Sequence, residues 1–282
     1  MQDEKLVLIT GGASGIGKET AIALAKEGFD TVFTARTNES GEAARKEIIE
    51  CSGNSAVSFI VCDLASLDSV RRICDEFAKQ YTRLDVLVNN AGVMEHERRL
   101  SEDGFEMDFA VNYLAPFLLT NLLLPLLKAS APSRIVNVSS HLHRQGSIDF
   151  DNLQSERHFD RYQAYADSKL ALMLFTEKLA RDLAGSGVTA NALHPGVVAT
   201  SMNTKNIAHM NPVLRFFYKR FFLSPEKGAA TSVYLATSPE VAGVSGEYFD
   251  KKKIAPASPL ASDAALADKL FAVSARLAGL QV

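Results

Sequence analysis

The chain has 282 residues, 47% of them hydrophobic and 22% charged, with a formal net charge of -3. That composition supplies a sizeable core and excludes an intrinsically disordered chain; without a broad basic field it also excludes a surface built for nucleic-acid phosphates. Cys51, Cys62 and Cys74 form no CxxC pair, so no metal site is expected and the thiols are read as reduced, as in a cytoplasmic compartment.

The first strand-sized apolar run, Leu6 to Ile9, follows only a short polar start, which leaves no room for a signal peptide or an N-terminal anchor. After it comes Thr10-Gly11-Gly12-Ala13-Ser14-Gly15-Ile16-Gly17, leading into a helical pattern from Ile16 to Glu27. Glycines lack the Cβ atoms that would hold a backbone away from a pyrophosphate, and a helix N-terminus favours its negative charge. Gly11, Ser14, Gly15, Ile16 and Gly17 are therefore candidate cofactor contacts, in a GxxxGxG spacing rather than GxGxxG.

The second run, Thr31 to Thr34, ends at Ala35-Arg36-Thr37. A carboxylate at such a strand end selects NAD through the ribose 2′-hydroxyl, whereas an arginine accommodates the 2′-phosphate of NADP. Arg36 stands there and no acid does, so NADP(H) is expected, with a merely solvated arginine as the alternative. The third run, Ser58 to Val61, leads to Asp63-Leu64, placed to contact the adenine. The fourth, Val86 to Val88, closes with Asn89-Asn90-Ala91-Gly92, whose small residues allow the cofactor close; turn formation alone is the other reading of the asparagines. Helical periodicity from Gly41 to Glu50 and from Leu67 to Lys79 separates these runs. Alternating strands and helices predict an α/β fold with a doubly wound parallel sheet and ligands at the carboxyl ends of its strands.

The longest apolar stretch, Leu114 to Leu127, contains Pro116 and Pro125 and falls short of the roughly 20 residues that span a bilayer, so it is read as a buried helix and no transmembrane segment is expected. Asn112 lies just ahead of it, where a helix can kink and hold a water linking Lys169 to solvent. The fifth run, Ile135 to Val138, ends at Ser139-Ser140, and Ser140 can donate a hydrogen bond to a reacting oxygen. Tyr165 and Lys169 stand four apart on one face of the next helix. A lysine ammonium and a positive nicotinamide would stabilise phenolate; bringing a tyrosine from near 10 to about 7 takes roughly 4 kcal/mol. Tyr165 would give its proton to a carbonyl oxygen in reduction and take it back in oxidation. A YxxxK spacing arises by chance in many helices and Ser140 alone could cap a strand end, but the set at successive strand ends specifies this chemistry. The sixth run, Val188 to Leu193, ends at His194-Pro195-Gly196.

Together these motifs resemble the short-chain dehydrogenase/reductase family from Lys5 to about Asp250. The resemblance implies one Rossmann-type domain over residues 1–282 with a seven-stranded sheet. It implies catalytic Asn112, Ser140, Tyr165 and Lys169, the last two also touching the cofactor, and Pro195, Gly196, Val198 and Thr200 near the nicotinamide. Dimers or tetramers would be built on the long helices around Leu114 and Leu170. The twenty-five residues from Ser140 to Tyr165 are more than is usual in the family, and the insertion carries His141, His143 and Asp149-Phe150-Asp151-Asn152-Leu153. This segment is similar to the retinol dehydrogenase-like branch and, more distantly, to the light-dependent protochlorophyllide reductases. Both handle large apolar substrates, so a retinoid-, steroid- or xenobiotic-like carbonyl or alcohol is expected.

Pro212 to Leu223 alternates Phe216, Phe217, Tyr218, Phe221 and Phe222 with Arg215, Lys219 and Arg220. Residues 205–225 are read as a lid over a lipophilic pocket with shallow peripheral membrane contact, ordinary helix packing being the alternative. The rival functions are a non-catalytic NADP(H)-binding redox sensor and a reductase of a C=C bond in a protochlorophyllide-like substrate. A Ser/His hydrolase would need a GxSxG elbow that the chain lacks.

Overall fold

The computed structural model describes residues 5–198 and 222–281. Its elements in chain order are β1 (Leu6–Ile9), α1 (Gly15–Lys26), β2 (Asp30–Ala35), α2 (Asn38–Ser52), β3 (Val57–Val61), α3 (Leu67–Gln80) and β4 (Val86–Asn89). Next, α4 (Met107–Phe109) passes through a π-helical turn, Ala110–Leu114, into α5 (Ala115–Ala129). There follow β5 (Ser133–Val138), α6 (Arg161–Asp182), β6 (Val188–His194), α7 (Pro225–Thr237), β7 (Tyr248–Asp250), β8 (Lys253–Ile254) and α8 (Ala264–Leu277).

Side-chain alternation dictates the layers. Leu6 and Leu8 of β1 pack on one face of the sheet and Val7 and Ile9 on the other; Val32 and Phe33 of β2 divide in the same way, as do Leu87 and Val88 of β4. A strand apolar on both faces must be covered twice. One cover is α1, α2 and α7; the other is α3, α5, α6 and α8. The sheet order is β3-β2-β1-β4-β5-β6-β7-β8, with β1 to β7 parallel as expected and the two-residue β8 added antiparallel to β7. The order reverses between β1 and β4, which opens a crevice at their carboxyl ends.

The helix expected from Leu114 begins earlier. Met107–Ala129 is continuous over 23 residues with mean hydropathy 1.6, and among the described residues it alone is long and apolar enough to cross a membrane. Length therefore does not set it apart from a span, contrary to the expectation from Leu114 to Leu127. Its burial does: 72% of its apolar window lies inside the protein.

The helix pair expected to form a dimer interface already has a cover. The Phe271 ring of α8 meets Phe117 edge-on at 5.0 Å between centroids and lies tilted against Phe175 at 6.4 Å, the Tyr113 and Ser274 hydroxyls are 2.7 Å apart, and Arg181 pairs with Asp268 at 2.6 Å. Leu114 and Leu170 are fully buried. Cys62 and Cys74 are buried and Cys51 is exposed; all three are free thiols.

Candidate active site

The loop after β1 is built around close approaches. Gly11 and Gly15 adopt φ of 66° and 56°, a region that disfavours side chains, and a Cβ at Gly12 would stand 2.5 Å from the Phe33 Cβ. Thr34 at the end of β2 holds the loop, accepting from the Gly11 N–H at its hydroxyl (2.9 Å) and from the Gly12 N–H at its carbonyl (3.2 Å). The N-termini of α2, α3, α6 and α7 are closed by side chains of Thr37, Ser66, Asp160 and Ser224. That of α1 is not: Ser14 at its N-cap makes no side-chain bond and its first turn holds no acid. The N–H groups of this twelve-residue helix thus face the crevice uncapped, in a cradle with no room for side chains, which fits the pyrophosphate of a dinucleotide.

The two asparagines at the end of β4 make different contacts. Asn89, its last residue, is buried, its amide donating to Thr120 Oγ1 (3.0 Å) and Asn137 Oδ1 (2.8 Å), so its side chain ties β4 to α5 and β5. Asn90, the residue after the strand, donates to the Thr10 carbonyl at 2.9 Å and fastens the glycine loop. Thr10 Oγ1 returns the contact by accepting from the Asn90 and Ala91 N–H groups. Arg36 lies exposed after β2, before the Thr37 cap of α2. Asp63 is exposed and accepts from the Ala65 N–H at 2.9 Å, while Leu64 is buried.

Past β6, Gly196 takes φ 85°, and a Cβ there would meet Leu223 at 2.5 Å. Val198 pairs with Leu223 in an isolated parallel bridge. Gly228 of α7 lies against both Val198 and Ile16: a Cβ on it would be 2.6 Å from a Val198 methyl and 3.2 Å from an Ile16 side-chain carbon. Pro195-Gly196-Val198 and the glycine loop therefore border one crevice. Thr200, the aromatic cluster from Phe216 to Phe221 and the lid segment up to residue 221 lie outside the described residues.

At the carboxyl end of β5 the two serines separate. Ser139 Oγ donates to the Lys169 carbonyl at 3.2 Å, whereas Ser140 Oγ accepts from the Leu142 N–H at 3.2 Å and its hydroxyl acts on the Tyr165 phenol. Of the two, Ser140 is therefore the serine beside the tyrosine. Lys169 is buried with its Nζ on the Val138 carbonyl at 2.9 Å, and its ammonium lies 5.6 Å from the centre of the Tyr165 ring. Burial pushes the lysine down to about 8, opposed by the charge of Asp108. Tyr165 moves the other way: burial pushes it up to about 12, the Ser140 hydrogen bond opposing and the Asp108 charge adding to the rise. The depression expected from Lys169 is thus not produced by the chain's own groups. Withdrawal from water outweighs it.

Asn112 sits in the π turn. Its Oδ1 accepts from the Val93 N–H (2.7 Å), and its amide donates to the Val93 carbonyl (2.9 Å) and Ser168 Oγ (3.0 Å). With its side chain so engaged, the group left for a water is its carbonyl, to which Pro116, four residues on, has no N–H to give. A clip that the sequence does not disclose steadies Ser140: buried His143 donates from Nδ1 to the Ser140 carbonyl (2.6 Å) and accepts the Ser258 N–H at Nε2 (3.1 Å). This arrangement holds the imidazole neutral, in agreement with burial lowering its pKa.

The insertion between Ser140 and Tyr165 borders a cavity of about 210 Å³ with a mixed lining, in which Phe109, Ile148 and Leu153 stand beside Glu106, Asp149 and Asp167.

The family model described as short chain dehydrogenase matches residues 5–211. Human "Retinol dehydrogenase 13" is 46% identical over 98% of this chain and 85% of its own length. A solved structure of a putative uncharacterized protein from Mycobacterium paratuberculosis superposes with a TM-score of 0.80 at 32% identity, covering 98% of this chain and 94% of that one. The "Pseudomonas aeruginosa RhlG/NADP active-site complex" does so with a TM-score of 0.72 at 28% identity, covering 87% and 93%. The fold agrees with these matches, and the chain belongs to the short chain dehydrogenase family, in its retinol dehydrogenase-like part.

Proposed function

We propose that the protein is an NADP(H)-dependent oxidoreductase acting on a carbonyl or alcohol of a bulky apolar molecule, with Tyr165 as its acid and base. The observation that carries this reading is the convergence of Ser140, Tyr165 and Lys169 at the end of β5 and the start of α6, opposite the uncapped α1. When bound, NADP(H) supplies or accepts the hydride. Gly11 to Gly17 would hold its pyrophosphate, Arg36 its 2′-phosphate, and Pro195 to Val198 the nicotinamide end. NADP rather than NAD is supported by Arg36 and by the NADP complex of the Pseudomonas protein.

Raised to about 12, Tyr165 carries its proton throughout the neutral range and is ready to give it to a carbonyl oxygen. Ser140 orients that oxygen through its own hydroxyl. Lys169, once protonated, returns positive charge to the phenolate left behind. The apolar substrate class is supported by the name of the human relative and by Val197, 54% exposed beside Gly196. Three free thiols support a reducing, cytoplasmic setting.

The test is NADPH consumption with a panel of aldehydes and ketones that includes retinaldehyde, with NADH in parallel. Tyr165→Phe should lose about 100-fold or more of kcat while binding NADPH as before. Undiminished turnover in that variant sinks the acid-base role. Tight NADPH binding without turnover of any carbonyl points instead to a redox sensor.

A further inference from the structure

Asp108 lies in α4, one helical turn ahead of Asn112, and is fully buried. The segment after β4 runs past this turn and is fastened to it twice: the Val93 N–H donates to Asn112 Oδ1 at 2.7 Å and the Glu95 N–H to Asp108 Oδ1 at 3.0 Å. Alternate residues of the segment thus meet side chains four apart on a helix, which share a face. Its first residue, Gly92, borders the catalytic groups. A Cβ on it would lie 3.2 Å from Asn112 Oδ1 and 3.3 Å from Lys169 Nζ. The Gly92–Glu95 strap is therefore one wall around Lys169, and Asp108 is one of its two fasteners.

The other carboxylate oxygen, Asp108 Oδ2, is buried and accepts no hydrogen bond among the described residues. Leaving a buried acceptor so is destabilising. Fastening the strap needs one oxygen only, and an asparagine would supply it without the cost of burying an acid. The charged groups acting on Asp108 are Glu106 of its own turn, Glu95 of the strap and Lys169 of α6, with Arg98 acting on Glu106. Glu106 has its carboxylate occupied by the Asp108 and Phe109 N–H groups. Against these acids the cation acting on Asp108 is Lys169.

We propose that Asp108 is a positioning residue of the Tyr165–Lys169 pair, fastening the strap with Oδ1 and governing the charge on Lys169 with Oδ2. The proposal rests on the reading of that pair as the proton-handling groups. Burial pushes Asp108 up and Lys169 down, and the charge of each acts on the other, so their titrations are coupled. Ionised Asp108 keeps the proton on Lys169 and on Tyr165; without it, both release protons at lower pH.

The test follows the Lys169 amine by NMR in full-length protein isotope-labelled at lysine Cε, titrated across neutral and alkaline pH, with Lys169→Met assigning the resonance. In the wild type the Lys169 curve should be broader than a single-site titration. Asp108→Asn keeps an acceptor for the Glu95 N–H, and should narrow the curve and move its midpoint down by about one unit or more. Single-site curves with the same midpoint in both proteins would overturn the proposal. If Asp108→Asn does not fold, the wild-type curve decides alone: broadened supports coupling, single-site refutes it. With NADPH and retinaldehyde, the alkaline limb of kcat/KM should move to lower pH in Asp108→Asn; an equal loss at every pH would mark a purely structural residue and overturn the proposal. A shifted Lys169 curve in a protein that reduces no carbonyl upholds the coupling and refutes the proposed function instead.

Discussion

A Cβ added at Gly17 would stand 2.4 Å from both Asn90 Nδ2 and the Gly11 carbonyl oxygen. Gly17→Ala should therefore detach Asn90 from the glycine loop and raise the Kd for NADPH about tenfold, equivalent to about 1.4 kcal/mol, as read by fluorescence titration. Arg36→Asp should lower the ratio of kcat/KM with NADPH to that with NADH at least about tenfold; an unchanged ratio would remove Arg36 from the 2′-phosphate site. The raised pKa of Tyr165 has a definite sign. The protonated phenol persists up to about 12, so carbonyl reduction should stay flat through neutral pH. Alcohol oxidation needs the deprotonated form and should climb with pH by up to about tenfold per unit, as initial rates at saturating cofactor will show. Ser140, Tyr165, Lys169 and Asn112 were legible because their residue types have few other uses at strand ends and on one helix face. Asp108 was not: an acid in the first turn of a helix is the ordinary partner of the helix dipole, and only its burial sets it apart. Asn89 and Asn90 could not be told apart without knowing which way the strand end faces.

At the level of elements, the six strands read from apolar runs form with small shifts of their ends, since parallel strands buried on both faces leave unbroken apolar runs. The β7–β8 hairpin does not. Its strands are three and two residues long, and its turn places Lys251 and Lys252 at φ of 50° and 65°, where Gly or Asn is the usual signal. The π turn is half legible: Pro116 denies the Asn112 carbonyl an α-helical partner, yet nothing local says that the helix continues regardless. What holds it is tertiary. The Tyr113 hydroxyl, buried in that turn, has the Ser274 hydroxyl of α8 as its partner. Ser274→Ala should cost about 1–3 kcal/mol in urea unfolding, by leaving a buried phenol unpaired. Adding Tyr113→Phe should recover part of that loss, and strict additivity of the two changes would deny the coupling.

For the molecule as a whole, the cofactor crevice is formed by β1, β4, β6, α1 and α7 together, so a dinucleotide bound there stabilises the folded chain by mass action. NADPH at a hundredfold over its Kd should add about 2.7 kcal/mol and raise Tm by several degrees in a thermal melt, and NADH at the same concentration should add less. Equal shifts would contradict the cofactor preference. The cover that α8 lays over Tyr113, Phe117 and Phe175 has a further consequence. Tyr113 is the residue after Asn112, so α8 is mechanically latched to the turn that carries Asn112. Force applied through that helix, by a bulky fusion, a surface tether or an antibody, reaches the active site along two hydroxyl groups. The tail is thus a handle from which the distant chemistry can be loosened.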